Sequence, residues 1–316
     1  MPYRFPTWAN GTAELAAQRN GEAEIAFAFV DRVSRGPWER YRARGAPPPR
    51  RALEYRLPDA DPYGPDSAWA AFFGFLYERY HAGQRASGRW VDAFELVNEP
   101  NLQLWPQTGA APGADPFERG ERVIVPAVAQ LLRTAQGISG RFGHSTLMLA
   151  PSISDSDTAS SRLYTRYDEF VPALLTACAA IGYVPHQRQA WSHHNYTDVE
   201  KRRLPTRTQV IRGLLAGRWA GEGGRFNPTV YVTEGGARVD RMPDLFPGED
   251  PLAAQARCLR EAWALMDDDD EGAGVAMFAQ YLIHADPNYD TGLLEAFPST
   301  VRRPAYDAWK AFPSFA

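Results

Sequence analysis

The chain is punctuated by short apolar runs, each ending in a polar cluster and separated from the next by a segment of helical spacing. Phe94-Glu95-Leu96-Val97 runs into Asn98-Glu99-Pro100, and the run at 145–153 closes with Pro151. The run at 189–197 ends on His193, His194 and Tyr196, that at 229–234 ends on Glu234, and that at 274–283 carries Gln280 and Tyr281. Between them, 117–138, 161–181, 206–218 and 251–266 repeat apolar residues at helical spacing, as do 67–84 before and 303–313 after. Continuous apolar strands alternating with helices predict an α/β fold with a parallel sheet covered by helices. Polar residues gather at the carboxyl ends of the strands, where a TIM (β/α)8 barrel builds its sites. An open doubly wound sheet binds ligands there too, but no glycine-rich phosphate loop follows any run.

Composition excludes several classes. At 44% hydrophobic and 23% charged residues the balance is that of a globular protein, and 316 residues suffice for one large core. A net charge of −4 without a basic stripe argues against nucleic acid as a partner, and no apolar run is long enough for a membrane span. No signal peptide opens the sequence, so a cytoplasmic location is the default expectation, with secretion open if the start is truncated. Cys178 and Cys258 fall in helical segments and read as buried thiols. Nothing has cofactor or metal-site spacing, and no metal or cofactor is expected. Adjacent His193 and His194 face opposite sides of a strand and cannot easily share an ion. The acidic run Asp267–Glu271 reads as a solvated loop.

Glu99 and Glu234 are the glutamates that end a run. With two strand–helix units between them, they face each other across the mouth of a closed barrel. Two carboxylates flanking one bond suit glycoside hydrolysis: one protonates the leaving oxygen, and the other attacks the anomeric carbon or activates water. The bland alternative is a pair of unrelated rim residues. Glu95 is expected to alternate away from Glu99, toward an arginine behind the strand.

Asn98-Glu99-Pro100-Asn101 and Thr233-Glu234-Gly235 together resemble the clan A glycoside hydrolases, retaining enzymes on a (β/α)8 barrel. Trp8-Ala9-Asn10-Gly11, Arg79-Tyr80, His194-Asn195-Tyr196, Gly292-Leu293-Leu294 and Arg303-Pro304-Ala305-Tyr306 extend the resemblance over most of the chain. The phrasing looks most like the families that contain β-xylosidases. The resemblance implies a carbohydrate substrate, with Glu99 as acid/base and Glu234 as nucleophile. It implies that Asn98 bonds the sugar 2-hydroxyl, Tyr196 donates to Glu234 and keeps it ionised, and His194 lines the sugar pocket. Trp8 and Trp105 become candidate stacking platforms and Asn10 a polar contact, while Tyr281 stands where a tryptophan is often found.

In the clan, the Trp-Ala-Asn-Gly segment follows the third strand. Here it occupies residues 8–11, which leaves no room before it for two strand–helix units, and the family arginine that pairs with the nucleophile has no evident counterpart. The expectation is therefore a single domain over 1–316: a complete barrel, or one lacking its first two βα units. Residues 12–66 would form a long excursion over the cleft, with one short helix near 22–33. A catalytically impaired carbohydrate-binding homologue is the competing reading, and a barrel enzyme using both glutamates for proton transfer a third.

Overall fold

The computed structural model describes residues 64–65, 68–82, 91, 93–102, 116–155, 165–186, 188–202, 204–219, 230–267 and 275–312. Helix α1 (Ala68–Tyr80) leads into strand β1 (Ala93–Glu95), followed by α2 (Pro116–Gly140), β2 (Leu147–Leu149), β3 (Ile153–Ser154) and α3 (Tyr167–Ala180). Then come β4 (Gln189–His194), α4 (Tyr196–Lys201), α5 (Arg207–Leu215), β5 (Val230–Gly235), a 3-10 turn (Val239–Arg241) and α6 (Met242–Leu245). Helix α7 (Pro251–Asp267), β6 (Val275–Gln280) and α8 (Pro304–Lys310) complete the order.

All pairings between these strands are parallel, in the order β1-β2-β4-β5-β6, with β3 paired to β4. Alternation decides which side chains face the helices. On β4, Trp191 and His193 point outward: Trp191 meets Trp219 edge-on at 5.3 Å, and His193 Nε2 lies 2.7 Å from the Thr208 hydroxyl. Ala190, Ser192 and His194 therefore point inward. One core packs α1, α2, α3 and α5 on the outside of β1, β2 and β4, around Phe170, Leu131 and Trp191. Phe73, Tyr77 and Phe94 interlock there at ring separations of 5.4–6.0 Å. A second core packs α7 and α8 outside β5 and β6, around Val232, Cys258 and Phe278.

The strands curl into a partial barrel. Strand neighbours lie about 4.8 Å apart, so β1 and β5, three steps removed, would be about 14 Å apart in a flat sheet with side chains standing parallel. Carboxylate oxygens from the ends of these two strands lie within 4.8 Å of each other, which requires a sheet concave toward them. Among the described residues, β1 and β6 each have one neighbour. Trp8, Asn10, Trp105, the run Asp268–Glu271 and nearly all of 12–66 lie outside the described residues.

Two elements differ from the sequence pattern. The run at 145–153 is broken into β2 and β3 because Pro151 has no amide to give to a ladder. Across the break, Ala150 N–H bonds the Ala190 carbonyl while Ser152 N–H bonds that of Val97. The run at 189–197 stops at His194, and Tyr196 begins a helix instead. Both cysteines are buried and free, as expected.

Candidate active site

Glu99 stands four residues beyond β1 in a left-handed conformation (φ 42°). For a residue with a Cβ this costs about 1–2 kcal/mol, so neighbours must impose it. Glu99 N–H donates to the Ser152 carbonyl (2.8 Å), and Asn98 bridges to Ser152. The buried Asn101 clamps the turn from the other side. Its amide donates to the carbonyls of Ser154 and Thr165 (3.0 Å each) and accepts from Ser154 N–H (3.0 Å). Asn98 itself sits exposed at the rim.

Glu234 is the penultimate residue of β5. The Tyr196 hydroxyl donates to its Oε1 at 2.6 Å. His194, 1% exposed, lies between the two glutamates: Nδ1 is 2.8 Å from Glu99 Oε1 and Nε2 is 3.7 Å from Glu234 Oε2. The structure thus brings together Glu99, His194, Tyr196 and Glu234 from three strand ends. Glu95 joins them, contrary to the expectation that it turns away. Its carboxylate accepts from the Ser152 hydroxyl (2.8 Å), and its charge acts on His194 and Glu234. Ser152 holds both: its hydroxyl bonds the Glu95 carboxylate and its carbonyl accepts Glu99 N–H.

Burial alone would lower the pKa of His194. The hydrogen bond to Glu99 and the charges of Glu234, Glu99 and Glu95 outweigh it, and the net shift is upward. For Glu234, burial raises the pKa, while His194 and the Tyr196 hydrogen bond pull it down and Glu99 and Glu95 push it up; the net direction is up. Tyr196 thus does what the resemblance implies, but desolvation wins. Tyr196 is itself held firmly protonated by burial and by Glu234, so it is a permanent donor. His193, on the outer face, is buried and pushed down to about 3, which keeps it neutral.

Glu99, His194 and Glu234 are close enough in type and distance to be considered as metal ligands. Glu99 lies on one ring nitrogen and Glu234 on the other, however, so the arrangement suits a shared proton better than a shared ion.

Tyr281 lies 6.1 Å from the Tyr196 ring, and Tyr289 lies 5.1 Å from it and 5.7 Å from Tyr281. The Arg238 guanidinium sits 4.5 Å over Tyr289. Tyr289 escaped the sequence reading; Asp286 Oδ1 accepts from the backbone of Asn288 (2.8 Å) and Tyr289 (3.3 Å), fixing the turn that carries it. His284 bonds the Glu295 carbonyl (3.0 Å) and rests against Phe297.

The Thr-Glu-Gly motif has a steric basis. A methyl group on Gly235 would overlap Asn195 Oδ1 and the Phe278 ring, and Gly236 has φ 150°. Gly235→Ala is expected to cost about 1–3 kcal/mol through overpacking, read as a lower denaturant midpoint. The same change should displace Glu234 and reduce any turnover.

No family model and no curated protein matches the chain. Among solved structures, it is similar to a β-xylosidase from Caulobacter crescentus CB15, at 15% identity over 77% of this chain and 44% of that one, with a TM-score of 0.47. An intracellular xylanase from Thermoanaerobacterium saccharolyticum JW/SL-YS485 is 12% identical over 78% of this chain and 66% of that one, with a TM-score of 0.45. A family 39 glycoside hydrolase from Bacteroides cellulosilyticus WH2 is 16% identical over 76% and 43%, with a TM-score of 0.42. The chain spans less than two thirds of the length of each. With likenesses this distant, fold and site rest on the chain's own geometry.

Proposed function

We propose that this protein is a retaining glycoside hydrolase that cleaves β-glycosidic bonds, with residues 1–316 acting as one barrel domain. The observation that carries the reading is the pair Glu99 and Glu234, on different strands, with carboxylate oxygens within 4.8 Å. Retaining enzymes hold their carboxyl groups about 5–5.5 Å apart, whereas inverting ones need about 6.5–9.5 Å to admit a water.

In the first step Glu234 attacks the anomeric carbon and Glu99 protonates the departing oxygen. In the second, Glu99 takes a proton from water, which displaces Glu234 from the sugar. Tyr196 holds one oxygen of Glu234 and leaves the other free to attack. His194, bonded to Glu99, offsets the repulsion among three carboxylates. Asn98 at the rim suits the 2-hydroxyl, and the Tyr281–Tyr289 face suits a sugar ring.

Proton NMR of the product first formed from a β-aryl glycoside tests this. A β-anomer appearing before mutarotation is expected. An α-anomer would overturn retention. Calorimetric sugar binding without turnover would instead favour a carbohydrate-binding protein that has lost catalysis.

A further inference from the structure

Asp155 follows β3 and has no role in the chemistry above, yet it is 2% exposed. Its partners lie on the next strand–helix unit, 42 residues away: Oδ2 accepts from the backbone N–H of Thr197 (2.7 Å). The same oxygen accepts from Asp198 N–H at 3.1 Å. Helix α4 therefore begins under a cap from elsewhere in the fold, because Asn195 at its N-cap position makes no side-chain cap bond. The first residue of that helix is Tyr196.

We propose that Asp155 is a positioning residue: by capping α4 it fixes the direction in which the chain leaves β4 and so keeps the Tyr196 hydroxyl on Glu234. Its segment braces the other glutamate as well. Ser152 receives Glu99 N–H and bonds Glu95, Ser154 engages Asn101, and Ile153 and Ser154 pair with His193 and His194. Residues 152–155 thus carry the supports of both carboxylates.

The Thr197 hydroxyl lies 3.1 Å from the Asp155 carbonyl and 3.0 Å from its Oδ1. The hydroxyl is the donor, shared between the carboxyl and the carbonyl, so it adds a third donor to the two backbone N–H groups that hold Asp155. Burial, then the nearby Asp198, push the Asp155 carboxyl above the ordinary carboxylate range, against the pull of its hydrogen bonds to Thr197 and Asp198. Asp198 is spent on the next helix, where it accepts from Arg207 N–H (2.7 Å) and Thr208 N–H (3.1 Å). Asparagine at 155 keeps an oxygen to cap α4, and its amide can donate to the Thr197 hydroxyl, which then donates to the carbonyl of residue 155.

Only the consequence for turnover rests on reading Glu234 as the nucleophile; the contact can be read without activity. Carboxyl carbon NMR titration of Glu234 in the full chain provides that readout, with Glu234→Gln assigning the signal. The groups facing it besides Tyr196 — His194, Glu99 and Glu95 — stay unchanged in every variant. Tyr196→Phe is expected to raise the titration midpoint, because the lost hydrogen bond favoured the ionised form. Asp155→Ala should raise it in the same direction, Asp155→Asn should leave it at the wild-type value, and Asp155→Ala with Tyr196→Phe should add nothing to Tyr196→Phe alone. On an aryl glycoside, Asp155→Ala should lower kcat by about 10²-fold with little change in KM. An unmoved midpoint in Asp155→Ala, an additive shift in the double variant, or an Asp155→Asn that behaves like Asp155→Ala would each overturn the proposal. Asp155→Ser, too short to span both amides, takes the place of Asp155→Ala if that variant does not fold. A wild-type chain that hydrolyses nothing would sink the proposed function and leave the titration result standing.

Discussion

Glu234→Gln should lower kcat on an aryl glycoside by on the order of 10⁴-fold or more, the scale seen when an attacking group is removed. Gln keeps the volume and can still accept from Tyr196, but it cannot form the covalent bond. The same change should make the protein more stable at neutral pH. Glu234 titrates above the ordinary carboxylate value because it is buried and faces Glu99 and Glu95. A raised pKa favours the fold fully below the unfolded value, and that benefit is lost as pH rises through the folded value. Removing the charge therefore lifts the melting temperature at pH 7, and the gain shrinks toward pH 4. Full activity in the variant, or a melting difference that grows on acidification, would contradict the role assigned to Glu234.

Glu99→Gln should separate the two chemical steps. A substrate whose leaving group needs a proton loses about 10²–10⁴-fold, the range of general acid catalysis. A dinitrophenyl glycoside needs little protonation, so Glu234 should still be glycosylated and the intermediate should accumulate. Azide, a nucleophile that needs no base, should then release a glycosyl azide of retained configuration. His194 supplies a second readout. Its pKa is raised in part by the bond to Glu99, so imidazole NMR in Glu99→Gln should show a lower midpoint. Equal losses on both substrates would remove Glu99 from the acid/base role.

The architecture was legible because parallel strands buried on both faces leave long apolar runs, and the intervening helices carry their own period. Both glutamates stood out because each ends such a run. That His193 and His194 divide between outer and inner faces followed from alternation alone, as did the convergence of Glu99 and Glu234 once the runs were counted. The partnership of Tyr196 with Glu234 came from the resemblance. What escaped the sequence depends on contacts between distant segments. Tyr196 and Thr197 are good strand formers, and nothing local says that Asp155 will cap them into a helix. Asn101 reads as one more turn residue until Ser154 and Thr165 are seen to hold its amide. Glu95 escaped for the same reason: its place beside the site depends on Ser152, 57 residues away, whose hydroxyl it accepts from.

The two strand edges that lack a second neighbour among the described residues bear on how the gap between Glu99 and Glu234 is held. A complete ring spans any two opposite strands by two routes, so an error along one is resisted by the other. Here the described sheet runs from Glu99 to Glu234 through β2, β3 and β4, and His194, 2.8 Å from one glutamate and 3.7 Å from the other, joins the two ends directly. The imidazole thus acts as a strut, fixing across the mouth a spacing that the described backbone sets only by way of the sheet.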